Sequence, residues 1–386
     1  MQLIFDTHQE MLDEFVYRFI LHEEDVLSGT RSLFDEVYLP VLRQQGVKFV
    51  NMAVGGDHVA QILYSNSDYR FWDAHKKLDA LQTEQESGCR SFILCRTTAD
   101  IEQVLDSEAI GVFATLQGGR PLEGKANLNL LSNLRSLYRA GLRGLQLTGN
   151  GRNRLADGVG QSRTRGRLTN FGVQVVKEAD RLGILLDSAQ LSDSGFFDLA
   201  ELTDNPVIDS HSCAAAVCPH PRNISDDRIK VIAQKGGVIG LSFLVALVAD
   251  PPEAASEVPS AENLMRHLEH IIDVAGIDHV ALGPDYSAYK TPVRRDLLRG
   301  YANRGPYFCQ FDKLTPLQNE KYPGWIEGVY YGIRKSDYIS GPDTHEEFPR
   351  IIDVLSAHGL SAEERDKVLG ANMLRVYKEV MRGADQ

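Results

Sequence analysis

Asp209-Ser-His211-Ser-Cys213, leading into His220-Pro-Arg222-Asn223, follows directly on the apolar run Pro206-Val-Ile. A short β-branched segment thus ends in an imidazole and, one loop later, in a guanidinium. Two other stretches have the same form. Asp6-Thr-His8-Gln-Glu10 follows Leu3-Ile-Phe near the start, and Gly283-Pro-Asp285-Tyr286 follows Val280-Ala-Leu far downstream. Polar chemistry gathered at strand ends from distant parts of a chain is how a (β/α)8 barrel builds a site at its C-terminal face.

Working outward from these stretches, eight β-type runs stand at residues 3–5, 49–54, 111–116, 144–148, 184–187, 206–209, 237–243 and 280–283. Helical patterns lie between them. Within 265–275, Leu268, Ile271, Ile272 and Ala275 share one face, and Gly276 stands where that helix would stop. Within 127–140, Leu130, Leu131, Leu134 and Leu137 do the same, and residues 170–182 and 226–234 repeat the pattern. Alternating strands and helices imply parallel pairing with right-handed crossovers. Eight such units predict a closed (β/α)8 TIM barrel, one domain over residues 1–386. The Pro-, Gly- and Tyr-rich residues 286–344 follow the eighth strand and are expected to form an insertion, or lid, over the mouth.

A chain of 386 residues can bury a large core, and 43% apolar with 24% charged residues is ordinary for a globular protein. The net charge of -12 argues against nonspecific binding to nucleic acid or to an anionic membrane, since both need a positive surface. No run approaches the roughly 20 apolar residues of a membrane span. The chain enters its first strand without a basic and apolar leader and ends without a hydrophobic tail, so the expected compartment is the cytoplasm. Five cysteines without a CxxC pair argue against a disulfide framework or a structural zinc site and predict free thiols. Cys213, two residues from His211, is a secondary candidate for a ligand or nucleophile.

His8 and Glu10 are two apart in an extended segment and so point to one side, an arrangement suited to a divalent cation. Gln117 follows the third strand. Gly149, Asn150 and Asn153 follow the fourth, Asp187 and Gln190 the fifth, His211 the sixth and Asp285 the eighth. His58, after the second strand, is a further candidate ligand. Arg152, Arg154, Arg163, Arg165 and Arg167 crowd one segment. They read either as solvated charges paired with acidic neighbours or as a site for a carboxylate-rich or phosphorylated ligand.

In combination these motifs resemble the renal (membrane) dipeptidase family of zinc metallopeptidases, which have an amidohydrolase-like barrel. The resemblance runs through Asp6-Thr-His8, Leu147-Thr148 with Asn150 and Asn153-Arg-Leu-Ala-Asp157, and Leu168-Thr-Asn-Phe-Gly172. It continues through Pro206 to Ser212, His220-Pro-Arg222-Asn223, Gly276 to Tyr286 and Leu369-Gly-Ala-Asn372. It implies that His8 and Glu10 stand at the first ligand pair, Glu10 replacing the family's aspartate. Gln117 stands at the glutamate that bridges two zincs, Gln190 at one histidine of the second zinc, and His211 at the other. Gly149 stands at a histidine that polarises the peptide carbonyl. Asp285 matches an aspartate that transfers protons close to the metals. Arg222 matches the arginine that holds the substrate carboxylate, with Asn150 and Asn223 as further substrate-binding positions. A homodimer is the assembly the resemblance implies.

The departures change the expected chemistry. Two cations roughly 3.5–4 Å apart need an anionic bridge to offset their repulsion, and Gln117 is neutral. Gln190 exchanges a nitrogen ligand for a weak carbonyl oxygen. One divalent ion, zinc by resemblance, is therefore expected rather than two, with His8, Glu10, His211 and Asp285 as its ligand set; an empty pocket is the other possibility. Three functions follow: a hydrolase of an amide or related C–N bond in a small peptide-like substrate, a pocket that tailors a small carboxylate-bearing metabolite, or a catalytically silent binding homologue. The fold alone does not choose among them.

Overall fold

The computed structural model describes residues 3–10, 19–57, 67–123, 130–161, 163–164, 166–249, 261–287 and 347–382. Eight parallel strands close on themselves: β1 (Ile4–Glu10), β2 (Val47–Gly56), β4 (Ile110–Gln117), β5 (Leu142–Gln146), β6 (Leu185–Asp187), β7 (Val207–Ser212), β8 (Ile239–Leu241) and β9 (Val280–Leu282). Closure comes from Asp6 of β1 pairing with Leu282 of β9. Each of these strands overlaps one of the eight runs read from sequence. Two short strands were not foreseen. β3 (Phe92–Leu94) pairs with the first half of β4, and β10 (Tyr286–Ser287) pairs with Gln9 and Glu10 at the end of β1. Only those two residues of the expected 286–344 insertion are described.

The intervening helices include α1 (Ser67–Glu86), α2 (Thr98–Leu105), α3 (Leu130–Arg139), α4 (Asn170–Leu182), α5 (Asp193–Leu202), α6 (Asp226–Gln234) and α7 (Ala261–Ala275). Side-chain caps set the starts of α2, α4, α5 and α6. Thr97, Thr169, Ser192 and Ser225 each accept a hydrogen bond from a first-turn N–H, and Thr97 completes a reciprocal box with Asp100. The apolar faces of α4 and α6 bury Val175, Val176 and Ala179, and Ile229 and Ile232, against the outside of the barrel.

Two devices turn this scaffold toward a site. The floor of the barrel is aromatic: Phe5 and Phe113 stack with Tyr377 of the last helix, α8 (Asn372–Arg382), and Phe49 stacks on Phe5, with Phe113 and Tyr377 centroids 3.8 Å apart. Asn372 fixes that helix by donating to the carbonyls of Ile277 and Val280. Above the floor, Thr7 crosses the interior and donates to the Ser210 carbonyl (2.6 Å), with the Leu282 carbonyl 3.0 Å from the same hydroxyl. Gly240 and Gly283 make room for it, since a Cβ at either would stand about 2 Å from the Ser210 carbonyl oxygen. Between Asp6 and Gln9, β1 holds one more residue than the facing part of β2, a bulge that re-aims His8.

Candidate active site at the barrel mouth

The bulge carries its own brace. Asp6, fully buried, turns its Oδ1 back to accept the His8 backbone N–H at 3.0 Å. Burial, with Asp285 nearby, pushes the Asp6 carboxyl well above the usual range. His8 then lies against His211 of β7 with ring centroids 3.9 Å apart and planes 26° apart. Its Nε2 comes within 3.6 Å of Asp285 Oδ1. Burial pushes the His8 imidazole down to about 3, with the Arg222 charge acting in the same direction, so at neutral pH this is no ion pair. His8 Nε2 has no hydrogen-bond partner, and a cation between it and the carboxylate would make that approach favourable.

Ligand atoms of His8, His211 and Asp285 all lie within 4.8 Å of one another. His8 Nε2, Gln117 Oε1 and Gln190 Oε1 are buried acceptors without a hydrogen-bond partner. Unsatisfied buried lone pairs beside a carboxylate are what a divalent cation would satisfy, so the residues fit one ion. Second-ion chemistry fits less well. Gln190 presents its amide nitrogen to His211 Nε2 at 3.1 Å, so an ion taking that lone pair must displace the amide. Burial holds His211 neutral, its pKa lowered further by His8 and Arg222.

The backbone marks the same place. Among the described residues, Gln190 and Asp285 are the non-glycine residues with left-handed φ, at 63° and 62°. Aspartate tolerates that region and glutamine does so rarely, so local strain coincides with the site. Ser210 Oγ donates to Asp187 and also contacts His211 Nδ1 at 2.7 Å. Asp187, pushed up to about 7 by burial and by Asp209, accepts the Ala189 and Ser210 N–H groups as well.

Of the other residues singled out from sequence, Arg222 is buried, donating from Nη2 to the His211 carbonyl (2.9 Å) and from Nη1 to Ser212 Oγ (3.3 Å). Asn150 is buried at the rim. Asn223 accepts the Cys213 N–H and donates to the carbonyls of Cys218 and Leu247, which makes it a brace for the loop carrying Arg222. Cys213 is no nucleophile in this setting: its buried thiol donates to the Ser242 carbonyl and its pKa is raised by burial. Two of the five arginines in the segment are paired with acids. Arg152 engages Asp157, Arg167 engages Asp198, and Arg154 lies over the Phe171 ring. The Glu10 side chain, Arg165 and His58 lie outside the described residues.

Sequence reading missed Asp57. This buried carboxylate follows β2 and accepts the N–H of Arg120 (2.9 Å), the N–H of Gly149 (2.9 Å) and Asn153 Nδ2 (3.1 Å). It ties together the rims of β2, β4 and β5. Its signal was the polar residue directly after Gly55-Gly at a strand end, the place where His58 drew attention instead.

The fold and the site define a parallel (β/α)8 barrel that gathers two imidazoles and a carboxylate at its C-terminal mouth. The model of the membrane dipeptidase family, peptidase family M19, matches residues 10–297, and the chain belongs to that family, a dipeptidase-like metallohydrolase. The chain is 32% identical over 306 residues to dipeptidase verJ of Clonostachys rogersoniana, covering 79% of this chain and 64% of that protein. It is 28% identical over 292 residues to an uncharacterized protein in the pqqA 5' region of Klebsiella pneumoniae, covering 74% and 88%. Among solved structures it resembles a Rhodobacter sphaeroides metallopeptidase liganded with a phosphinate mimic of L-Ala-D-Ala. The TM-score is 0.69 at 20% identity, covering 98% of this chain and all of that one. Metallopeptidases of this family are metal-dependent, generally with zinc. Among the described residues no helix is long and apolar enough to cross a membrane.

Proposed function

We propose that the protein hydrolyses the amide, or a related C–N bond, of a small peptide-like substrate with one divalent ion. The observation that carries this reading is the convergence of His8, His211 and Asp285 at the mouth of a family M19 barrel. Glu10, at the end of β1, completes the proposed ligand set. A divalent cation held there supplies Lewis-acid polarisation of the scissile carbonyl and a more acidic water. Asp285 Oδ1, facing neutral His8, is placed to take a proton from the attacking water and return it to the leaving nitrogen. The Arg222 charge, buried beneath His211, favours an anionic substrate end nearby, and Asn150 lies on the same rim.

Support for one ion rather than two comes from the neutral Gln117, which cannot offset the repulsion of two cations, and from Gln190, whose amide contacts His211 Nε2 and supplies no further imidazole. That same contact favours a second reading, a pocket remodelled to bind or tailor a carboxylate-bearing metabolite without peptide cleavage. Turnover of a dipeptide panel with added Zn2+, Mn2+ or Co2+ separates the two readings. Cleavage lost in both His8→Ala and Asp285→Asn supports the hydrolase. A complete lack of cleavage overturns it.

A further inference from the structure

Directly beneath the site, Asp187 of β6 and Ser210 of β7 form a chain of contacts that ends on His211. Asp187 is fixed by two backbone N–H groups, those of Ala189 and Ser210, both at 3.0 Å from its Oδ1. Its second oxygen receives the Ser210 hydroxyl. A serine hydroxyl has a single proton. With Asp187 ionised, that proton goes to its carboxylate, and Ser210 Oγ can only accept at its other contact, 2.7 Å from His211 Nδ1. The imidazole must then carry its proton on Nδ1 and keep the Nε2 lone pair toward the mouth. The far end of the ring agrees, since the Gln190 amide nitrogen, a donor only, lies 3.1 Å from Nε2. Thr7, anchored on the Ser210 carbonyl, and Arg222, anchored on the His211 carbonyl, hold the backbone on which this chain is built.

We propose that Asp187 and Ser210 are positioning residues that set the His211 tautomer, presenting Nε2 as the lone-pair donor toward the barrel mouth. Neither residue touches the ion or the substrate. Both act through His211, in the manner of the outer hydrogen-bonding partners that orient metal-ligating imidazoles. The proposal deepens the reading of His211 as a ligand and rests on it. The more common tautomer of a free imidazole would put the proton on Nε2, where it would oppose the Gln190 amide and repel a cation. In a site that has lost its bridging carboxylate and a histidine ligand, the two remaining imidazole lone pairs carry more of the binding, so a wrong tautomer would cost proportionally more.

The test is 15N NMR of the full chain, metal-free and labelled on histidine, with the His211 signals identified by their loss in His211→Asn. The wild type should show Nδ1 protonated and Nε2 bare. Asp187→Asn turns a donor toward Ser210, frees the hydroxyl to donate to Nδ1, and should move the proton to Nε2. Ser210→Ala should move it in the same direction, while Ser210→Thr, which keeps a hydroxyl, should restore the wild-type pattern. Zinc titration should weaken by about 10–100-fold in Ser210→Ala and recover in Ser210→Thr. A wild-type His211 protonated on Nε2 overturns the proposal, with or without folded variants. So does an unchanged tautomer in both Asp187→Asn and Ser210→Ala. Failure of the hydrolase reading would appear separately, as absent dipeptide turnover in a protein whose tautomer behaves as described.

Discussion

Replacing Asp57 by alanine removes the acceptor shared by Arg120 N, Gly149 N and Asn153 Nδ2. A buried donor left without a partner costs about 1–3 kcal/mol. Gly149 is buried and incurs the full cost, whereas Arg120 and Asn153 are partly exposed and can recruit water. Three losses of unequal size sum to about 3–5 kcal/mol. Against this stands the relief of no longer burying a carboxylate, whose pKa is raised chiefly by that burial. A net loss of about 2–4 kcal/mol is expected. Asp57→Asn keeps one oxygen, which can hold Gly149 and Asn153 while the amide faces Arg120 N, so it should cost less than the alanine variant. Urea unfolding followed by two probes reads both values as midpoint shifts at constant slope. The sign of the pH effect follows from the raised pKa. The stability tied to this group is present below the unfolded carboxylate value and is lost as pH rises through the folded one, so Asp57→Asn should flatten that dependence. An alanine variant within about 0.5 kcal/mol of wild type, or an asparagine variant less stable than alanine, would refute the idea that this carboxylate clamps the rims.

Further outcomes follow from other parts of the structure. Arg228 is buried against Asp209 at 3.0 Å and over the Phe196 ring, and Arg228→Met should lose about 3–5 kcal/mol in urea unfolding by stranding the Asp209 charge. His8 and His267 are held neutral by burial, pushed down to about 3 and about 4. In both, the unfolded chain binds the proton first, so stability should be full above about pH 6.5 and fall as pH drops toward 4. His267, which accepts the Ala214 N–H and contacts the Val248 carbonyl, can be isolated by measuring the acid limb in His267→Gln. Asp285→Asn should lower turnover of any cleaved dipeptide by about 10²–10⁴-fold while leaving the fold intact by circular dichroism. Joint replacement Gln117→Glu with Gln190→His should raise bound metal from about one ion per chain toward two by elemental analysis. Unchanged stoichiometry there would mean that neutral residues at those positions do not limit the site.

Several features were legible in the residues themselves because they depend on local pattern. The eight barrel strands fall where β-branched runs end in turn residues, and α4 and α6 span the ranges their apolar periodicity suggested. His8, His211 and Asp285 could be paired as a site because a parallel barrel places every strand end on one rim. Asp57, Asp6 and Ser210 escaped notice for the opposite reason. Asp57 and Ser210 act through partners remote in the chain and Asp6 through a bulge that local pattern does not reveal, and an isolated Asp or Ser beside a strand end looks like an ordinary turn residue.

Sequence by itself determined the barrel, the family and the gathering of His8, His211 and Asp285 at its mouth, since periodicity and residue type at strand ends are properties of short segments. Only the tertiary structure decided how those side chains face one another. The bulge that aims His8, the amide of Gln190 turned onto His211, and the pairing of Arg167 with Asp198 are all relations between segments. Hydrogen-bond direction and charge pairing depend on distances of a few ångströms between residues far apart in the chain, and those distances exist only once the strands have closed.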